Sequence, residues 1–156
     1  MEAQKLILYT PHPKQAEIHQ SLNNLNKKYY TVPIGRQFGK TLLGTNQALY
    51  WAGLGKSKIG WVSPVYSQAK KVFRELESGL NGCPFARSVN KSDLIMEFAT
   101  GCRLQFFSAD AYDSIRGNTF DYLICDEFDY FKTEAWDEVL KATVIVKGRK
   151  VLFLST

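Results

Sequence analysis

Two short stretches carry residue types that together could handle a phosphate anhydride. In YYTVPIGRQFGKTLLG, residues 29–44, Gly39-Lys40-Thr41 places an ammonium and a hydroxyl where a strand-like run gives way to a helix-like one. Backbone N–H groups and the positive end of a helix dipole face an anion at such a junction. The lysine adds a point charge toward β- and γ-phosphates, and the threonine hydroxyl can ligate Mg²⁺. The loop departs from the usual G-x-x-x-x-G-K-[ST] spacing. Ile34 stands where the first glycine belongs; the glycine comes one residue later, at Gly35, and Arg36 follows it. Taken alone, the tripeptide also fits an ordinary turn into a helix.

The second stretch is DYLICDEF, residues 121–128, in which an apolar run ends on Asp126 and Glu127. A buried strand that delivers an aspartate to a metal at its C-terminal end, followed by a carboxylate able to polarise a water, is the acidic half of a nucleotide-hydrolysing site. Aspartate is also a common helix cap, so this stretch has a plain structural reading too. Gln15, in PHPKQ, has the paired donor and acceptor that can read an adenine edge, or it is a solvated helix residue. Ser155 and Thr156, in LFLST, would sit on a strand tip, where hydroxyls can sense a γ-phosphate or simply end a strand.

Positioning these groups requires a sheet with helices on it. The chain alternates strand-like and helix-like segments, which predicts an α/β fold with a mostly parallel sheet sandwiched by helices. Helices are expected over 11–25, 41–54, 66–80 and 133–144, and strands over 27–34, 57–64, 119–128 and 150–156. Residues 94–108 read as an added β-hairpin turning at 99–102. A parallel sheet seldom finishes on its last strand, so the expectation is that these residues are a piece of a longer protein.

With 156 residues the chain has the length of one domain and can bury a sizeable core. Hydrophobic residues make up 45% and charged residues 22%, which is ordinary for a globular chain. No apolar run approaches the ~20 residues of a membrane span, and the N-terminus lacks a secretory signal pattern. The net charge of +5 is compatible with a nucleic-acid partner. Lys56, Lys58, Lys70, Lys71 and Arg74 form one basic group along the chain, and Lys147, Arg149 and Lys150 another; each also reads as a solvated face. Trp51, Trp61 and Trp136 are expected in the core. Cys83, Cys102 and Cys125 form no C-x-x-C pair, which argues against a metal or disulfide framework.

The ordered set PHPKQ, GRQFGKT, SPVYSQAKKVF, SIRGNTFDYLICDEF and LFLST resembles the ATPase domain of the large terminase subunit. That protein is the motor that packages DNA in tailed bacteriophages and related viruses. The resemblance runs from Pro11 to Thr156, and terminases carry a variant loop G-R-x-x-G-K-T, which matches Gly35 to Thr41. It implies a P-loop NTPase of RecA/ASCE type that is a Mg²⁺-dependent ATPase. It further implies that Gln15 contacts adenine. Gly35, Arg36, Gln37, Phe38, Gly39, Lys40 and Thr41 would form the phosphate loop, with Arg36 near the γ-phosphate. Asp126 would hold Mg²⁺ with Thr41, Glu127 would be the catalytic carboxylate, and Ser155 and Thr156 the coupling motif. Arg116 stands where some terminases offer an arginine finger to a neighbouring subunit; a local ion pair is the alternative.

The implied partners are double-stranded DNA gripped by its backbone without sequence preference, a portal protein, a small terminase subunit and further copies in a ring, with no membrane. The implied setting is the host cytoplasm, transiently at the procapsid portal vertex. Residues 1–156 would be the motor domain cut after the coupling motif, without the nuclease domain that the full-length protein carries. The N-terminal lobe of a superfamily-two helicase shares most of these motifs and is the alternative. A nucleotide-binding scaffold without hydrolysis would have no use for Glu127.

Overall fold

A computed structural model describes residues 9–33, 35 and 38–156. In chain order the elements are α1 (Pro13–Asn24), β1 (Tyr29–Pro33), α2 (Lys40–Gly53), β2 (Lys58–Ser63) and α3 (Tyr66–Gly79). There follow β3 (Ala86–Asn90), β4 (Ile95–Phe98), β5 (Arg103–Ser108), a 3-10 segment Ala109–Ile115 and β6 (Tyr122–Cys125). A 3-10 turn Phe128–Tyr130, a π-helical segment Ala135–Leu140 running into α4 (Lys141–Thr143), and β7 (Lys150–Ser155) complete the order.

The strands form one sheet in the order β1-β7-β6-β2-β5-β4-β3. The first five of these run parallel. β4 and β3 are antiparallel, to β5 and to each other respectively. The mostly parallel α/β sheet and the β4–β5 hairpin are as the sequence predicts. β6, with four buried residues out of four, is the apolar central strand that a sheet covered on both faces needs.

One face packs α1, α2 and α3 over Trp61, Phe106 and Leu152; the other packs the 3-10 and π segments over Leu123, Cys125 and Val151. Trp51 and Trp61 are buried as expected, with Trp51 stacked on Tyr122 at 4.5 Å between ring centroids. Trp136 is half-buried against Phe153. Gly44 lets α2 sit on the sheet: a Cβ there would lie 2.8 Å from Leu154 Cδ1 and 2.9 Å from the Trp61 ring. Three features differ from the sequence expectation. The strand expected over 119–128 is confined to Tyr122–Cys125, with Phe128–Tyr130 in a 3-10 turn. β3 is an additional strand on the outer edge, and the predicted helix over 133–144 is π-helical in its middle, Ala135–Leu140.

Because β7 lies between β1 and β6, the tip carrying Thr156 stands between the phosphate loop after β1 and the acidic pair after β6. Ligands of open α/β sheets bind in the crevice beyond the carboxyl ends of the strands.

Candidate functional site

Lys40 is the first residue of α2, and Gly39 before it has φ +79°. That left-handed backbone favours glycine. A Cβ at Gly39 would also lie 2.9 Å from Gln15 Nε2. The turn is closed by Phe38 N–H donating to the Gly35 carbonyl at 3.1 Å. Arg36 and Gln37 lie outside the described residues, as does Ile34.

Lys40 is 5% exposed, and its Nζ lies 2.6 Å from Glu127 Oε1. The same ammonium donates to Thr156 Oγ1 at 3.1 Å. Thr156 N–H donates in turn to Asp129 Oδ2 at 3.2 Å. Three segments distant in the chain are thereby tied at one atom. Glu127 itself has φ +54°, a conformation that costs a non-glycine residue about 1 kcal/mol. Its side chain is part-exposed to an open groove of about 1080 Å³, which also reaches Gly39, Thr41, Thr45 and Asn46. A nucleotide fits in a space of that size.

Asp126 is buried, and its Oδ2 accepts from Thr41 Oγ1 at 3.4 Å. Its Oδ1 is buried with no hydrogen-bond partner among the described residues. Burial first, and the Glu127 charge second, push the Asp126 carboxyl up to about 6, against the pull of Lys40 and the Thr41 hydroxyl. A buried orphan carboxylate oxygen beside a threonine hydroxyl is a hard-oxygen donor pair that suits Mg²⁺, which binds through one or two such groups and keeps several waters. The residues therefore fit the ion that the sequence pattern implies.

The raised Asp126 pKa has a consequence for stability. The folded state holds this proton more tightly than the unfolded chain, so the contribution is fully present below the unfolded value of 3.8 and is lost as pH rises through about 6. The chain free of metal and nucleotide is expected to lose about 2 kcal/mol from this group between pH 4 and pH 8. Asp126→Asn should be the more stable protein at pH 8 and should lose the advantage near pH 4, as read by urea unfolding. An equal wild-type-to-variant difference at both pH values would contradict this.

Gln15 is 4% exposed, with Nε2 donating to the Phe38 carbonyl at 3.0 Å and Oε1 accepting the His12 N–H at 3.1 Å. In this structure it braces the phosphate loop against α1. Ser155 is buried at the end of β7. Arg116 is exposed and pairs with Asp113 at 2.9 Å; it is not among the residues lining the groove.

Sequence reasoning missed His12 and Asp129. His12 caps α1 in a reciprocal box with Gln15, and its ring meets Phe38 edge-on at 4.4 Å. The signal was present as His12 three residues before Gln15, although histidine is an unusual cap. Asp129, two residues after Glu127, carried no signal until β7 was placed beside it.

The family model described as terminase large subunit, T4likevirus-type, N-terminal, matches residues 33–156. Among curated proteins, the large terminase subunits of Thermus phage G20c and Thermus virus P23-45 are each 27% identical over 172 residues. Each alignment covers 97% of this chain and 35% of the relative, so the chain spans about a third of the length of these proteins. Among solved structures, the Thermus phage P74-26 large terminase ATPase domain superposes with a TM-score of 0.78 at 24% identity, covering 95% of this chain and 65% of that one. The large terminase of another thermophilic bacteriophage, in complex with ATP-gamma-S, gives 0.71 at 16%, covering 92% and 37%. At these identities the structural likeness establishes the fold alone, a mostly parallel α/β sheet with helices on it.

Proposed function

Because the chain belongs to the terminase large subunit family, T4likevirus-type, we propose that it is the ATP-hydrolysing motor part of a machine that moves double-stranded viral DNA into a procapsid. The observation that carries this reading is the meeting of Lys40, Glu127 and Thr156 at one ammonium, beside Thr41 and Asp126. A helicase lobe shares this fold, but the family model and both curated relatives are terminases.

The chemistry follows from the positions. Gly39 and the first turn of α2 offer backbone N–H groups to the phosphates. Lys40 leaves Glu127 for the β- and γ-oxygens, and Glu127 is then free to orient the attacking water. Gln15 donates its amide hydrogens to the Phe38 carbonyl at 3.0 Å and, more weakly, to the Gly39 carbonyl at 3.5 Å. It would meet adenine by exchanging the longer of these contacts and with the second lone pair of its oxygen. Thr41 and Asp126 would hold Mg²⁺, which when bound supplies positive charge to the phosphate oxygens. Thr156 shares the Lys40 ammonium and hands its own N–H to Asp129, so a change at the lysine reaches the tip of β7. Thr156, with Ser155, is thus placed to couple hydrolysis to motion.

In this reading Arg36 and Gln37 complete the phosphate loop. Arg116 serves the neighbouring copy in a homo-oligomeric ring, and a portal protein and small terminase subunit are the assembly partners. The motor works in the host cytoplasm, transiently at the portal vertex, and nuclease activity belongs to another part of the full-length protein. Titration with a fluorescent ATP analogue tests the reading. Saturable binding is expected, weakened at least about 10-fold by EDTA, with slow release of phosphate from ATP. A chain that binds no nucleotide with Mg²⁺ present would overturn it.

A further inference from the structure

The parallel topology gathers basic residues that lie far apart in the chain. The N-terminal edge of the sheet, opposite the phosphate loop, follows from the registers. Lys58 pairs with Arg103, Tyr122 pairs with both Ile59 and Lys150, and Tyr29 pairs with Val151. Arg103, Lys58, Arg149, Lys150 and Lys28 therefore stand at one edge of the five parallel strands, with two of them at β7 and Asp121 at the start of β6 on the same level. At about 4.8 Å per strand this edge spans about 19 Å. Lys27, Lys56 and Lys147 stand in the loops that enter the same strands.

Among the described residues, the registers put Asp121 and Glu97 beside these cations, the second being the cross-strand partner of Arg103. Asp121 spends one oxygen on the Lys58 backbone N–H at 2.8 Å. Among the described residues, none of the eight is in an ion pair. Three of the ammonium groups are fixed by neutral oxygens and not by carboxylates: Lys28 on the Val144 carbonyl, Lys58 on Asn118 Oδ1, and Lys150 on the carbonyls of Leu22 and Leu25. Burial, with Arg103 beside it, pulls the Lys58 ammonium below its ordinary value. Lys27, Lys56, Arg103, Lys147 and Arg149 are exposed.

We propose that this edge of the sheet is the surface on which the chain holds duplex DNA by its backbone phosphates. The identity of the partner rests on the packaging function proposed above; the surface rests on the register and the unpaired charges. A duplex carries one negative charge per ~1.7 Å of axis, so a stretch of this edge's length presents about eleven. Six of the eight cations are lysines, a residue depleted from protein–protein interfaces. Lysines act as point charges that suit backbone contact without base readout. The other basic group, on α3, is a weaker candidate: Lys70, Lys71 and Arg74 share their helix with Glu75 and Glu77, and Glu77 already pairs with Lys91 at 3.2 Å. Leu54, Ile145 and Val146 are exposed at the proposed edge, which makes an acidic protein surface the competing occupant.

The experiment is fluorescence anisotropy of a 30-base-pair duplex of arbitrary sequence, titrated with the chain across a series of KCl concentrations. One variant carries Lys27→Ala, Lys56→Ala, Arg103→Ala, Lys147→Ala and Arg149→Ala together, and a second carries Lys70→Ala, Lys71→Ala and Arg74→Ala. The first set should weaken binding at least about 100-fold and lower the slope of log K against log[KCl] by roughly four. The second should change affinity less than about 3-fold. Both variants should keep the wild-type melting temperature and nucleotide affinity.

Undiminished duplex binding by the first variant, or equal losses in the two, would overturn the proposal. So would absence of duplex binding by the wild-type chain, or displacement of the duplex by polyglutamate at matched charge as readily as by unlabelled duplex. Because nucleotide binding is read separately, a chain that fails on DNA yet binds ATP sinks the surface and leaves the ATPase reading standing.

Discussion

Glu127→Gln is expected to lower ATP turnover by about 10²–10⁴-fold while nucleotide binding is kept or tightened. The side chain is part-exposed to the groove at the C-terminal end of β6 and is the one carboxylate that touches Lys40 among the described residues. Glutamine keeps its shape and hydrogen-bonding reach but can neither accept a proton nor hold the lysine by charge. Binding is preserved because the carboxylate competes with phosphate for the Lys40 ammonium, and the amide competes less. The check is a pair of measurements on the same preparation: affinity for a fluorescent ATP analogue and single-turnover hydrolysis. Parallel loss of binding and turnover would mean that Glu127 holds the loop together and does not act on water.

Arg116→Ala is expected to lower the turnover of assembled motors by about 10³-fold or more and to leave the slow turnover of the isolated chain unchanged. The guanidinium is exposed, lies away from the groove of its own chain, and is held by Asp113 at 2.9 Å and by the Glu138 carbonyl at 3.5 Å. In the reading proposed above, a group so placed serves the triphosphate of a neighbouring copy. Phosphoryl transfer spreads charge over the γ-oxygens, and a guanidinium docked there stabilises the transition state more than the ground state. The assay compares phosphate release by isolated chain and by motors assembled on portal and DNA, with wild type and variant in each. An equal loss in the isolated chain would assign Arg116 a role in folding, through its contacts with Asp113 and Glu138.

Much of the site is legible in the sequence because its signals are chemical and local. Gly39-Lys40-Thr41 and Asp126-Glu127 are short, and the apolar run before Asp126 predicts the buried strand that carries it. The convergence of Lys40 on Glu127 follows from those placements, but the direct ion pair and the Thr156 hydroxyl on the same ammonium do not. They depend on β7 lying between β1 and β6, which no residue in LFLST announces.

The fold is readable where one face is buried and opaque where none is. β3, Ala-Arg-Ser-Val-Asn, is an edge strand with four of its five residues exposed, so it shows no alternation to detect. The π-helical stretch Ala135–Leu140 buries Ala135, Val139 and Leu140, a spacing that an α-helix would give equally well. Nearness in sequence groups Lys58 with Lys70; the parallel registers instead join Lys58 to Arg103 and Arg149.

The most direct test is a crystal structure of the chain with a non-hydrolysable ATP analogue and Mg²⁺. The expected result is a terminal phosphate on Lys40 Nζ, with the 2.6 Å contact to Glu127 opened and the Glu127 carboxylate turned to a water in line with that phosphate. A nucleotide bound elsewhere, with the Lys40–Glu127 pair intact, would contradict the account.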